Sequence, residues 1–130
     1  SGMLASPPVV VLAGGETTVT IRDEDGKGGR NQEIALMVLR EFARAPEAFA
    51  TVSFASVATD GNDGPTDAAG GFVDAGLARR AAEESTSLEL ALAHNDSYRY
   101  LEKLGALTRT GPTNTNVCDI QVLVVDQASR

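Results

Sequence analysis

The chain is poor in the residues from which many functional sites are built. One cysteine, Cys118, excludes an internal disulfide, and with a single histidine, His94, it cannot form a Cys/His metal centre. So low a cysteine count fits a reducing compartment, and a cytoplasmic location is expected. Tryptophan is absent and aromatics make up 5% of the sequence, so the core must be aliphatic and alanine-rich. No apolar run approaches the roughly 18 residues of a membrane span, and "SGMLASPP" lacks the basic start of a secretory signal. No membrane association is expected. Basic residues are few and unclustered, 11 against 18 acids, for a net charge of −7. A polyanion would be repelled on average, so nucleic acid is not an expected partner. Ser1 and Gly2 read as a cloning scar, residues 1–6 as a tail and 127–130 as another. Residues 7–126 then form one domain with one core.

Periodicity supplies the elements. Val9 to Ala13 is a buried-type run. "TTVTIR" alternates, with Val19 and Ile21 on one face, which predicts a second strand joined by a hairpin or bulge at Gly14–Gly15. "RNQEIALMVLREFARAP" predicts a largely buried helix. Ile34, Val38 and Phe42 form its stripe, Ala35, Leu39 and Met37 widen it, and it ends near Ala45 because Pro46 disfavours helix before it. "TVSFASVAT" predicts a central strand buried on both faces. "GGFVDAGLARRAAEE" reads as a short apolar piece and a helix. "SLELALAHNDSYRYLEKLGA" reads as one or two helices, with Asn95 or Asp96 capping the last and Gly105 stopping it. "LTRTGPTNTN" is a turn-rich loop before a last buried strand, "CDIQVLVVD". The order β-β-α-β-loop-α-α-loop-β predicts a single layered α/β domain, a small mixed β-sheet flanked by helices.

Standard ligand loops fail on spacing. A P-loop needs glycine where Ile21 stands, and a dinucleotide fingerprint needs glycine at Asn31. An EF-hand counted from Asp60 puts Pro65 at position six and Gly71 where a bidentate glutamate is required. Three less standard stretches carry chemistry. "GGRNQE" sets Arg30 in the first turn of a helix, where a cation opposes the macrodipole and free amides favour an anion. An anionic ligand would resolve that conflict, as would a salt bridge to Asp23, Asp25 or another acid. "ATDGNDGPTDAAG" follows the central strand. Asp60 and Asp63 there suit a hard cation held through water, or a substrate hydroxyl. The same residues also make Asx-turns. "TGPTNTN" offers short hydrogen-bonding side chains or a plain turn. Its "GPT", Gly111–Thr113, echoes Gly64–Thr66. His94 beside Asn95 and Asp96 reads as solvent-facing at a helix break.

Taken in order, "GGETTV", "GKGGRNQEIAL", "ATDGNDGPTDAAGG", "NDSYRYLEKLG" and "TGPTNTNVCDIQVLVV" resemble the MOFRL domain, the C-terminal domain of class II glycerate kinases. The resemblance runs from about Pro8 to Val125. It implies one half of a two-domain enzyme that transfers the γ-phosphoryl group of ATP to glycerate with Mg²⁺, giving 2-phosphoglycerate. The N-terminal domain of the same parent chain would supply most nucleotide contacts and a reactive lysine, and the site would lie between the domains. With the resemblance counted, Arg30 and Asp60 are the expected catalytic residues. Asn31, Asp63, Thr66, Thr113, Asn116 and Glu16 are expected substrate contacts, with Asp60 and Asp63 near the metal. The isolated domain is expected to be inactive and to hold no cofactor tightly. Relatives have also been labelled hydroxypyruvate reductases, and a non-catalytic folding or oligomerisation module is the third reading. The oligomeric state, a homodimer included, stays open.

Overall fold

A computed structural model describes residues 6–128. The scar at Ser1–Gly2, the rest of 1–5, and 129–130 of the second tail lie outside the described residues. The order is β1 (Val9–Gly15), α1 (Arg30–Arg44), β2 (Val52–Ala58), β3 (Gly70–Asp74), α2 (Ala75–Ala82), α3 (Ser85–Ala93), α4 (Ser97–Leu104), β4 (Leu107–Thr108) and β5 (Asp119–Val125). The layered α/β architecture is as expected. The strands lie in the order β1-β5-β2-β3-β4, and each described pairing is antiparallel where a mixed sheet was expected. The C-terminal strand returns between β1 and β2, so β2 is central.

The expected hairpin is not formed. β1 runs on through Gly14 and Gly15, and residues 16–21 pair with no strand. The side chain of Asn95 takes the place of a neighbouring strand. Its Nδ2 donates to the carbonyl of Thr20, and its Oδ1 accepts from the amide of Arg22. Asn95 sits in the left-handed region at φ 52°, which asparagine tolerates better than most residues. Alternation in "TTVTIR" therefore recorded an extended segment satisfied by a side chain.

Helix α1 lies across β2 and β3 and packs against the other helices. Its buried face carries Asn31, Gln32, Ala35, Leu36, Leu39 and Phe42. That face is rotated from the expected stripe: Met37 is exposed, and Ile34 and Val38 are only half-buried. Two polar residues at the helix start are buried in their place. Phe54 on β2, Val73 on β3, and Leu123 and Val125 on β5 meet this face, giving one aliphatic core with α2, α3 and α4.

The opposite face of the sheet carries no helix of the described residues. Ala55, Val57, Phe72, Val122 and Val124 alternate away from the core, and Val10 and Leu12 on β1 are 58% and 69% exposed. The central strand is thus covered on one side where burial on both was expected. A sheet face meant for water would alternate to polar residues, and this one is apolar. At the far end Gly105 closes α4 in the left-handed conformation, as its sequence position indicated. Asp96 makes no side-chain cap bond to α4; its carboxylate accepts from the amide of Lys27 and from Arg99.

Candidate functional site

Strand β2 ends at Ala58, directly opposite Asp119 at the start of β5. Arg30, the first residue of α1, reaches Asp119 at this same end of the sheet. The segments before α1, after β2 and before β5 therefore converge there, and they are the three stretches that the sequence singled out.

Asp63 organises the convergence from inside. It is 1% exposed. Its Oδ1 accepts from the backbone and side-chain nitrogens of Asn31, both at 3.1 Å. Its Oδ2 accepts from the amide and Nε2 of Gln32, both at 2.9 Å. The carboxylate thus caps α1 from 32 residues away in sequence, since the N-cap Gly29 has no side chain to do so. Glycine is required at that position, because a Cβ would fall 2.5 Å from the Asp63 carboxyl carbon. Thr66 donates to the Asp63 carbonyl at 2.7 Å and accepts from Gln32 Nε2 at 3.0 Å. Asn31 Oδ1 accepts from Ser56 Oγ at 2.7 Å.

Three of the expected substrate contacts, Asn31, Asp63 and Thr66, are buried. They form a frame held by hydrogen bonds among themselves and with Gln32 and Ser56. The amides at the start of α1 are likewise not open to an anion, because Asp63 occupies those of Asn31 and Gln32. Buried N–H groups need an acceptor, and the fold supplies an internal one.

Arg30 is held by a bidentate pair. Nε donates to Asp119 Oδ2, and Nη2 to Oδ1 at 2.9 Å. Nη1 lies 3.4 Å from Glu16, a looser contact on an exposed side chain. Of the two resolutions the sequence allowed, the salt bridge is present, and its partner is neither Asp23 nor Asp25. The hydrogen bond to Asp119 holds the Arg30 guanidinium above its usual pKa. Burial by itself would push the Asp119 carboxyl up, but the Arg30 bond, the Asn31 side chain and the Arg30 charge outweigh it and leave it below the usual carboxylate range. Sequence reading passed over Asp119. The available signal was an acid heading an apolar strand, "DIQVLVV".

Arg30, Gly28, Gly29, Glu16, Gly64 and Pro65 line a cleft of about 390 Å³. Two other hollows, of about 290 and 390 Å³, lie beside Asp74 and Asp126 and between α3 and α4, away from Arg30.

Asp60 and Thr113 stand next to each other. The Thr113 amide donates to the Asp60 carbonyl at 3.3 Å, and the Thr113 hydroxyl donates to the Thr59 carbonyl. Thr59 in turn donates its amide to the carbonyl of Cys118, the residue before Asp119, at 3.1 Å. Arg30, Asp60 and Thr113 are therefore linked through three hydrogen-bonded steps, from Arg30 to Asp119, from Cys118 to Thr59 and from Thr113 to Asp60. The two "GPT" loops lie against each other, and Gly61, at φ 88°, leaves no room for a Cβ beside the Gly111 carbonyl. The Asp60 side chain is half-buried, with Oδ1 accepting from the Asn62 amide at 2.9 Å. Asn116 is exposed and its Oδ1 accepts from the Cys118 amide at 3.0 Å. His94 is 57% exposed against Asp23, as a solvent-facing residue should be.

A water-bridged cation between Asp60 and Asp63 does not fit this arrangement, since both Asp63 oxygens are filled by N–H donors. Among the described residues no three His, Cys, Asp or Glu side chains are grouped to hold a metal. Asp60 Oδ2 has no protein partner among the described contacts.

The MOFRL family model matches residues 9–119, nearly the whole described span. The chain belongs to the MOFRL family. This MOFRL chain is 46% identical over 119 residues to the glycerate 2-kinase of Pyrococcus horikoshii, covering 92% of itself and 26% of that enzyme. It is 50% identical over 119 residues to the glycerate kinase of Macaca fascicularis, covering 89% of itself and 30% of the relative. The crystal structure of the PH0495 protein from P. horikoshii superposes with a TM-score of 0.85 at 45% identity, over 98% of this chain and 28% of that one. The chain thus spans between a quarter and a third of the length of these relatives.

Proposed function

We propose that this MOFRL chain is the substrate-side part of an ATP-dependent glycerate 2-kinase. It would supply one wall of a cleft whose other wall is the N-terminal domain of the parent chain. The observation that carries the proposal is Arg30, clamped through two of its nitrogens by a buried aspartate at the edge of the cleft. Relatives named glycerate kinase match across the chain and extend well beyond it, and the uncovered apolar face of the sheet supports a larger parent body.

Glycerate is a small carboxylate with two hydroxyls. In the proposed complex exposed Glu16 gives way, and Arg30 Nη1 donates to the glycerate carboxylate or a phosphate oxygen. Such a donor is useful because it is fixed before charge develops at the reacting group. Asp60 accepts a hydrogen bond from a glycerate hydroxyl, and Thr113 and Asn116, on the loop bonded to Asp60, are the further contacts of that complex. Arg30 does not act as a free cation, because Asp119, Glu16 and Asp63 surround it with negative charge. Its contribution is directional, and net attraction for the anion must come from the other domain. ATP and Mg²⁺ would be held largely by that domain. Asp60 offers magnesium at most one carboxylate, which suits an ion that keeps most of its waters, and no step here is routed through it.

The test is Arg30→Ala in the parent enzyme, assayed with glycerate and Mg-ATP. Loss of a fixed charge-assisted contact at the reacting centre should lower kcat/KM by about a hundred-fold or more. Full activity would refute the assignment of Arg30. Absence of ATP-dependent phosphorylation in the unmodified parent would refute the kinase reading itself.

A further inference from the structure

We propose that Asp119 is a positioning residue, whose function is to fix the plane of the Arg30 guanidinium so that its remaining edge faces the cleft; the inference rests on Arg30 meeting the substrate anion. Three observations support it. Asp119 is one of the most firmly placed residues at this end of the sheet, since its backbone pairs with Gly15 of β1 on one side and Ala58 of β2 on the other. Its carboxylate is 0% exposed and takes both Nε and Nη2 of Arg30. A planar guanidinium gripped on that edge has one orientation left, and Nη1 is the nitrogen with only the long contact to exposed Glu16.

Energetics argue against a purely structural role. A buried ion pair gives back in attraction about what its desolvation costs, and an apolar residue of similar volume often serves stability as well or better. Apart from Gln121, which bonds Ser56, the rest of β5 is built from such residues: Ile120, Val122, Leu123, Val124 and Val125. A carboxylate at the head of this strand is explained by what it does to Arg30. Lysine at position 30 would keep the charge pair but lose the two-point grip, since an ammonium has no fixed plane.

The test is a double-mutant cycle in the parent enzyme, reading KM and kcat separately for glycerate and ATP, with a thermal melt for each variant. Asp119→Asn should lower kcat/KM for glycerate about ten- to a hundred-fold, with the ATP KM unchanged. Arg30→Ala should lower it at least as far, and the double variant should be no worse than Arg30→Ala alone. Additive losses would show that Asp119 acts independently of Arg30, and an unchanged kcat/KM in a folded Asp119→Asn enzyme would also overturn the proposal. Should that variant fail to fold, Arg30→Lys carries the test: the selective loss for glycerate is expected, and parent-like kinetics would overturn the inference. The substrate reading fails on a different result, full activity of Arg30→Ala, so the two failures are told apart.

Discussion

Replacing Asp63 by asparagine should destabilise this fold far more than its loop position suggests. The carboxylate is 1% exposed and accepts four N–H bonds, two from Asn31 on Oδ1 and two from Gln32 on Oδ2. Asparagine has a single acceptor oxygen. Whichever way its amide is turned, one pair of donors meets an NH₂ group, and the charge at the start of α1 is gone. Two bonds to a charged group, at about 1.5–3 kcal/mol each, and the loss of about 0.3–1 kcal/mol of helix-terminus interaction set an upper range. Local relaxation brings the expected cost to about 4 kcal/mol, a large share of the roughly 5–15 kcal/mol of a typical domain. In a chain of this size that corresponds to a fall in Tm of about 12–20 °C. Thermal and urea unfolding followed by circular dichroism would measure it. Asp60→Asn is the control, since half-buried Asp60 accepts one bond, from Asn62, and its Tm should barely move. An Asp63→Asn chain melting within about 3 °C of the unmodified one would refute the claim that this carboxylate caps α1.

Two further outcomes follow from the same geometry. Asp119 is held below the usual carboxylate range, so its contribution to stability is present above the unfolded carboxyl value near 3.9 and is lost as pH falls through the lower folded value. Acid unfolding should therefore be steeper for the unmodified chain than for Asp119→Asn, and superimposable acid titrations would contradict the assignment. Asn95→Gly, which keeps the left-handed backbone accessible while removing the side chain, should free the Thr20–Asp23 segment. Tryptic cleavage after Arg22 should then accelerate while Tm falls only modestly, and an unchanged cleavage rate would show that Asn95 does not hold that segment.

Much of the frame was legible from local pattern. The start and end of α1, the central strand, the break between α3 and α4, and the Gly105 stop follow from periodicity, Pro46 and a glycine fit for the left-handed region. Errors arose where a long-range partner replaced a local one. "TTVTIR" alternates like a strand, but its polar backbone is satisfied by Asn95, 75 residues from Thr20. The α1 stripe was read from apolar residues alone, whereas the buried face begins with Asn31 and Gln32, which are buried because Asp63 arrives to meet them. β4 is two residues long and sits in a stretch that reads as turn, so only its pairing with Gly70 and Gly71 defines it.

The sequence by itself determined the family, the placement of the three polar loops, and Arg30 as a cation set against a helix macrodipole, because these depend on residues near one another in the chain. Only the tertiary structure decided which polar groups stay accessible and which are buried. Asp60 and Asp63 look alike in "ATDGNDGPTDAAG". One stands half-buried beside Thr113, and the other is enclosed by α1. The carboxylate that grips Arg30 comes from the far end of the sequence, 89 residues away. Hydrogen bonds and ion pairs depend on distance in space, and the antiparallel return of β5 between β1 and β2 is what brings Asp119 to the start of α1.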